Sequence, residues 1–350
     1  MKTVALDVHS ETSQMTVVSP AGEILLEMKL PTQPEDLRRV IAGIDGPKRV
    51  VFEEGPMSGM IKDALAGAAE EIVSCDPTHN ALIARAEDKN DERDALRLAV
   101  LTQAKAIRPV YVPPEPYRTL RSLVRYDHAL ARSITGAKNR IKALCRRLGI
   151  RCRGIRVYSE AGREEALRQI TDAGLRWQAK SLYRQLKILR TERLQVRKVL
   201  LRQSGEFPEI ERLKSIPGVG PVVARTIVAW VVDPHRFKSR NALSSYGGLG
   251  LGQGWTNWQP IGRARASKKG QRELKRVLFI AARGALLGKN SLKRRYHARV
   301  RSGWEDRKAI RDLARCILLT ARAVWITGKE YDDAMVSVPE QRPKVKSRCR

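Results

Sequence analysis

Four acidic residues have the types and the spacing of a site for two metal ions. Asp7 and Glu53 each lie at or near the end of a short run of apolar, β-branched residues, where a buried carboxylate is costly unless it is paired or binds a cation. Asp91 and Asp94 are three residues apart in a helical segment and share one face, so a cation between them would relieve their repulsion. Carboxylates bind Mg²⁺, and two such ions ~4 Å apart suit in-line attack on a phosphodiester. We therefore predict that these four residues bind Mg²⁺ or Mn²⁺.

Each acidic residue also has an ordinary interpretation. An aspartate near a strand end is usually a turn residue, and two aspartates three apart on a helix usually face solvent. The combination of all four, in this order and on these elements, favours the metal site. Glu54 competes with Glu53 for the inward position, but strand alternation admits only one of them, and we favour Glu53.

The charge of the chain changes sign along its length. Residues 1–105 carry a net charge of −6, whereas the complete chain carries +30, which leaves +36 for residues 106–350. A strongly basic remainder indicates a polyanionic partner, and an acidic domain at one end is unusual for a nucleic-acid packing protein. We therefore predict an acidic catalytic domain followed by regions that bind nucleic acid.

Alternating strand and helix patterns predict an α/β domain over residues 1–107. Turn residues separate three β-rich runs that predict an antiparallel meander, and helices alternate with two further strands after it. This is the element order of an RNase H-like (RuvC-type) domain. The predicted strands are Thr3–Val8, Gln14–Ser19, Glu23–Leu30, Arg49–Phe52 and Glu71–Ser74, and the bounded helices are Glu35–Gly43 and Ala81–Lys105.

A proline-rich linker, residues 108–116, precedes a helical region that we place at residues 117–205. Two long runs in it repeat apolar residues at alternating spacings of three and four, with one polar interruption each, Asp127 and Arg193. Such heptads predict an antiparallel helical hairpin or a dimerising coiled coil, which would mediate assembly. Two ordinary amphipathic helices of a bundle fit the pattern equally well.

Residues 206–330 have the pattern of a third, mainly α-helical domain that binds DNA. A proline/glycine turn is followed by a glycine-rich loop, a basic stretch and two predicted helices, Gln271–Leu287 and Glu305–Gly328. The remaining residues, 331–350, are basic and poor in apolar side chains, which predicts a disordered tail.

Two features of this third domain predict contact with phosphates. The segment Ile216–Gly220 resembles a helix-hairpin-helix turn, in which Gly218 and Gly220 would let the backbone approach a phosphate at a helix N-terminus. A tight turn without a ligand is the alternative. A dense group of cations further along predicts a grip on the nucleic-acid backbone; its members are Arg263, Arg265, Lys268, Lys269, Arg272, Lys275 and Arg276.

The motifs together resemble those of the DEDD transposases of the IS110 insertion-sequence family, relatives of the Piv-type invertases. The N-terminal motifs are residues 6–10, 51–55 and 89–95, and the C-terminal ones are Ser215–Gly220, Tyr246–Leu249 and Ser267–Gly270. The resemblance covers roughly residues 1–330 and is weakest in the helical middle. It implies an insertion-sequence transposase or site-specific recombinase that exchanges DNA strands, guided by a non-coding bridge RNA.

The resemblance also implies a serine nucleophile in the C-terminal domain, and this chain departs from that pattern. The family's serine sits in a Ser-Gly step some ten residues before the Ser-Lys-x-Gly motif, where this chain has Thr256-Asn257-Trp258. Thr256 could replace it as the attacking hydroxyl, or Ser267 could, beside Lys268 and Lys269. An inactive relative is the third possibility.

Other features narrow the class of protein. The cysteines form no CxxC pair, so neither a zinc site nor a disulfide framework is indicated. Without a signal-peptide pattern or a long apolar run, we expect a cytoplasmic protein with no membrane partner.

Strand exchange needs several active sites, so a homodimer or homotetramer is expected. The competing functions are a Holliday-junction-resolvase-like endonuclease and an inactive nucleic-acid-binding regulator.

Overall fold

The computed structural model describes residues 1–83, 91–151, 153–256, 259–266 and 269–339. Within these ranges, the side chains of residues 81–83, 91, 92, 251–256 and 259–266 are not described. The chain divides into two compact units, the first spanning Met1–Glu115 and the second beginning at Pro116.

The first unit is built on a mixed sheet with the strand order β3-β2-β1-β4-β5-β6. Its strands are β1 (Lys2–Val8), β2 (Thr12–Val18), β3 (Ile24–Pro31), β4 (Lys48–Glu53), β5 (Glu71–Cys75) and β6 (Pro109–Val110), and its helices are α1 (Pro34–Ala42), α2 (Ser58–Ala64), α3 (Pro77–Ile83) and α4 (Asp91–Gln103). β1 to β3 form the antiparallel meander, and β4 and β5 run parallel to β1. The mixed α/β architecture predicted for this part of the chain is confirmed.

Strand alternation divides the apolar residues of the sheet between two cores. Leu6 and Phe52 lie in the core that includes Leu37 of α1 and Ile61 of α2. The intervening residues, such as Ala5 and Val51, lie in a second core with side chains of α4. The central strands are buried on both faces, which explains their continuous apolar runs.

Two elements of this unit differ from the sequence prediction. The single helix predicted over Ala81–Lys105 corresponds to α3 and α4, while residues 84–90 lie outside the described residues. The segment predicted as a stiff linker contributes β6, which pairs antiparallel with β5. A two-residue edge strand has too little sequence to show alternation, so its pairing could not be read from the pattern.

The second unit is mainly helical, as predicted. Its elements are α5 (Tyr117–Arg147), α6 (Glu160–Arg168), α7 (Ala173–Gln203), α8 (Pro208–Leu213), α9 (Pro221–Val231), α10 (Arg240–Tyr246), β7 (Leu251–Thr256), β8 (Gln259–Ala266), α11 (Arg272–Ala285), α12 (Ser291–Arg301) and α13 (Asp306–Thr327). The glycine-rich loop and the basic stretch predicted from the sequence contribute the antiparallel hairpin β7–β8.

The long helices α5 and α7 pack against each other as an antiparallel hairpin within one chain. Ile141, near the end of α5, shares a core with Leu182, near the start of α7. At the other end of the hairpin, Val124 and Val196 belong to a core that also includes α9, α11 and α13. The hairpin is one of the arrangements that the heptads predicted; a coiled coil between two chains stays a prediction.

Candidate functional site

The sheet places Asp7 and Glu53 side by side. β1 and β4 are parallel neighbours whose pairing ends at Leu6 and Phe52, so Asp7 and Glu53 occupy the next position on each strand. Because Leu6 and Phe52 face the core of α1 and α2, alternation turns the two acidic residues toward the opposite face, the one that α4 covers. The preference for Glu53 over Glu54 is consistent with this register.

Helix α4 brings the other two acidic positions to the same end of the sheet. It packs on β1, β2 and β4, and Gln103 Nε2, in its last turn, donates a hydrogen bond to Ser19 O at 2.7 Å. The residue before Ser19 pairs with Thr3 at the start of β1, so α4 runs antiparallel to β1. Its first turn, with Asp91 and Asp94, therefore lies toward the end of β1 where Asp7 is found.

The helical repeat supports this placement. Ala95 and Leu98 are buried against the sheet, and position 91 lies in line with them at spacings of four and seven residues. The Asp94 carboxylate is 42% exposed and accepts a hydrogen bond from Arg97 at 3.0 Å. The Asp91 side chain lies outside the described set.

Two neighbouring side chains hold the carboxylates of Asp7 and Glu53. His9 Nε2 lies 3.1 Å from Asp7 Oδ2, within hydrogen-bonding distance. Asn80 Nδ2, on α3, donates to Glu53 Oε1 at 2.9 Å and is within 3.2 Å of Cys75 Sγ. Asn80 is buried, so its amide is a fixed support for Glu53. Neither partner was predicted, although the spacing of two residues between Asp7 and His9 is a signal that strand alternation could have supplied.

Cys75 continues the row of strand ends, since it pairs with Glu53 on the neighbouring parallel strand. Burial raises the pKa of the Cys75 thiol to about 11, and the negative charges of Glu53 and Asp76 add to the effect. The thiol is therefore protonated at neutral pH and lies 3.4 Å from the Phe52 carbonyl, to which it donates. Cys75 is therefore a buried, neutral neighbour of Glu53 in this structure.

The donor set fits a hard divalent cation. Carboxylate oxygens are the ligands that Mg²⁺ and Mn²⁺ take, and such ions keep open positions for water and phosphate. Asp7 is 27% exposed and Glu53 is exposed, so a phosphate can reach both. Among the side chains that are described, no group of three or more His, Cys, Asp or Glu is placed to hold a metal ion. Asp91, the fourth member of the predicted tetrad, is not among them.

In the second unit, two glycine motifs lock together. Gly270 adopts φ +102°, and a Cβ on it would lie 2.5 Å from Gly248 N. Gln271 N donates to Tyr246 O at 2.8 Å and closes the contact. Residues 246–248 and 269–271, some twenty positions apart in the sequence, are thereby joined at the base of the β7–β8 hairpin.

The Gly218 and Gly220 positions have different surroundings. Gly218 has φ +85°, and a Cβ there would lie 2.2 Å from Ala281 O of α11, so helix packing by itself accounts for this glycine. Gly220 is exposed at the N-terminus of α9, and a Cβ on it would meet nothing within 4 Å. Phosphate contact at these glycines stays a prediction. Of the two, only Gly220 has free space beside it in which a phosphate could bind.

The candidate nucleophiles and cations are only partly described. Thr256 is the last residue of β7, Arg263 and Arg265 belong to β8, and their side chains are not described. Ser267 and Lys268 lie outside the described residues. Lys269, Arg272 and Arg276 are exposed, whereas Lys275 is half-buried and packs its stem near Gly248.

Comparison with known proteins gives two family matches. A DEDD transposase model of the IS110 type matches residues 4–149, and a model described as the transposase IS116/IS110/IS902 family matches residues 210–298. The two models together cover about two thirds of the chain. No curated protein matches the chain. No helix in the described part of the chain is both long enough and apolar enough to cross a membrane.

Proposed function

The chain belongs to the IS110 family of insertion-sequence transposases, and on that premise we propose that it cuts and rejoins DNA at a metal site formed by Asp7, Glu53, Asp91 and Asp94. The observation that supports this most is the meeting of two parallel strand ends with the first turn of α4. The strands supply Asp7 and Glu53 on one face of the sheet, and the helix covers that face.

Mg²⁺ or Mn²⁺, when bound, would offset the charge of a phosphodiester and favour the deprotonated form of the attacking group. The four acidic residues would hold the ions. His9 and Asn80 would orient Asp7 and Glu53, because their hydrogen bonds fix carboxylates that would otherwise rotate freely at the sheet edge.

A hydroxyl of the second unit would attack the DNA, with Thr256 favoured and Ser267 as the alternative. The hydroxyl oxygen forms a bond to phosphorus and gives up its proton, while the bond between phosphorus and one strand oxygen breaks and that oxygen takes up a proton. Attack by the hydroxyl of another strand would reverse the step and release the protein side chain. The interlocked Gly248 and Gly270 would fix the hairpin that carries Thr256.

A non-coding bridge RNA and a second copy of the chain complete the proposal. The +36 charge beyond residue 105 suits RNA and DNA bound together. The exposed Lys269, Arg272 and Arg276 would contact their backbones. Exchange of strands between two duplexes requires more than one active site, so we propose a homodimer or homotetramer.

One departure from the family pattern favours a second function. The family's Ser-Gly step is replaced here by Thr256-Asn257, and a chain without a protein nucleophile could still hydrolyse junction DNA with water at the acidic tetrad. Such a resolvase-like endonuclease would form no covalent bond to DNA. A regulator with a degenerate site would neither cut nor exchange strands.

Covalent capture separates these functions. The tagged protein is purified under denaturing conditions from cells that carry its gene with the DNA on either side of it. The DNA strands that stay attached to the protein are then sequenced. We expect DNA ends attached to wild type and to Ser267→Ala, and none attached to Thr256→Ala. Attached ends that are lost only in Ser267→Ala would reassign the nucleophile. Free cut ends with no adduct would support the resolvase-like alternative, and intact DNA would support the regulator.

A further inference from the structure

A cavity of about 530 Å³ lies beside the base of the β7–β8 hairpin. Asn241, Ser244 and Ser245 of α10 line part of it, and residues of α12, of α13 and of the segment between them line the rest. Gly250, the residue before β7, also lines it. Its volume falls within the range of small-ligand sites and exceeds the space that a phosphate group alone would fill.

The charge of this cavity is strongly positive. Its lining includes four cationic side chains, which are Arg299, Lys308, Arg311 and Arg315. The lining carboxylate, Asp312, already accepts hydrogen bonds from Arg295 at 2.8 Å and from Arg299 at 3.4 Å. The remaining cations therefore face the cavity with their charge uncompensated.

Two of these arginines are prepared for a ligand in different ways. Arg315 donates from Nε to Ser244 Oγ at 3.1 Å and from a terminal nitrogen to Asn241 Oδ1 at 2.8 Å. These neutral partners orient the guanidinium without offsetting its charge. Arg311 makes no hydrogen bond or ion pair with any described residue, so its donors are available.

Trp304 holds two further cations at the cavity. The Arg299 guanidinium lies 4.4 Å and the Lys308 ammonium 4.1 Å from the indole ring. Cation–π attraction keeps both charges near the rim although they repel each other. A set of fixed cations around neutral hydroxyl and amide groups is the chemistry that binds a phosphate and its adjoining sugar.

We propose that this cavity binds one phosphodiester, with its adjoining nucleoside, of a nucleic-acid strand that runs past the β7–β8 hairpin. Arg311 and Arg315 would bind the phosphate oxygens, and Lys308 would add charge at the rim. The inference rests on the proposed function in that the ligand is nucleic acid. It adds a site whose four cations lie outside every sequence motif.

Binding of labelled single-stranded DNA and of single-stranded RNA of the same sequence tests the proposal across a range of salt concentrations. We expect Arg311→Gln to weaken binding about tenfold at low salt and to lower the salt slope by about one. Lys308→Gln, an exposed position, should lower the slope in the same direction. Arg307→Gln is the matched control, since Arg307 is exposed on the same helix and does not line the cavity.

The two probes identify which strand supplies the phosphate. A loss confined to RNA assigns the cavity to RNA, a loss confined to DNA assigns it to DNA, and an equal loss assigns it to backbone chemistry that both share. Binding by Arg311→Gln and Lys308→Gln that equals that of Arg307→Gln, with unchanged melting temperatures, overturns the proposal.

The outcome is separable from that of the proposed function. Asp7→Asn should abolish strand exchange and leave oligonucleotide binding intact. If Asp7→Asn still exchanges strands, the catalytic proposal fails while the cavity can still be correct. If the cavity variants bind normally and Asp7→Asn is inactive, only the cavity assignment fails.

Discussion

Arg193 Nε donates a hydrogen bond to Asp127 Oδ1 at 2.8 Å across the α5–α7 hairpin. These residues are the two polar interruptions of the heptad runs, and the fold pairs them with each other. Asp127 is 2% exposed, and Arg197 lies 3.3 Å from the same oxygen. The ion pair fixes the register of the hairpin, because a shift of either helix would leave a buried carboxylate unpaired.

Removing one member of this pair should destabilise the second unit. We expect Arg193→Leu to lower the free energy of unfolding by about 3 kcal/mol, because Asp127 would stay buried with a weaker partner. Urea unfolding followed by circular dichroism measures the change, with exposed Lys187→Ala as the control. The double variant Asp127→Leu/Arg193→Leu should lose less free energy of unfolding than the two single variants lose together. A double variant that loses more than this sum would contradict a stabilising ion pair.

The ion pair between Asp127 and Arg193 also predicts that the stability of the second unit depends on pH. Burial works against ionisation of Asp127, but the hydrogen bonds and charges of Arg193 and Arg197 outweigh it and hold its pKa below the ordinary value. A carboxyl whose pKa is lowered on folding contributes stability above its unfolded pKa and loses it as the pH falls through the folded pKa. The stability advantage of wild type over Asp127→Asn should therefore shrink below about pH 4. A difference that stays constant down to pH ~2 would show that the ionised form gains nothing from folding.

Asn80 should affect strand exchange because it orients the carboxylate of Glu53. We expect Asn80→Ala to lower strand exchange about tenfold or more, since a carboxylate without its hydrogen-bond donor is poorly oriented toward a metal ion. The concentration of Mg²⁺ or Mn²⁺ needed for half-maximal activity should rise, which a purely structural defect would not produce. Thr78→Ala, exposed on the same helix, serves as the comparison; equal metal dependence in all three proteins would remove Asn80 from the site.

The glycine contact in the second unit gives a test of its packing. Gly270→Ala should destabilise this unit by about 3 kcal/mol, because the added Cβ meets the Gly248 backbone and the φ angle is in the left-handed region. Gly220→Ala, with free space and an ordinary φ, should melt like wild type. Thermal unfolding compares the two, and equal melting temperatures would mean that the two motifs are not interlocked.

Sequence periodicity predicted the elements that have strong patterns. The apolar runs around Asp7 and Glu53 alternate between two cores, so both strands and the face shared by the acidic residues could be predicted. Asn80 could not, because its contact with Glu53 depends on how α3 follows β5 in space. Helix α12 was not predicted either, since its basic sequence, SLKRRYHARVR, has few apolar residues and so gives little periodic signal.

The β7–β8 hairpin marks another limit of sequence interpretation. Glycine-rich sequence has little intrinsic preference for a strand, and the segment Leu251–Thr256 forms one by pairing with β8. The cavity beside it joins residues of α10, α12 and α13 that are up to some seventy positions apart, so no local motif could reveal it.

The most direct test of catalysis by the acidic tetrad is strand exchange in cells. It is measured by sequencing the junctions formed at the DNA on either side of the gene that encodes the chain. Glu53→Gln and Asp91→Asn are compared with Glu54→Gln and Glu92→Gln, which change the adjacent acidic residues. We predict precise junctions in wild type and in both neighbour variants, and none in Glu53→Gln or Asp91→Asn. Normal junctions in Glu53→Gln and Asp91→Asn would contradict catalysis by the acidic tetrad.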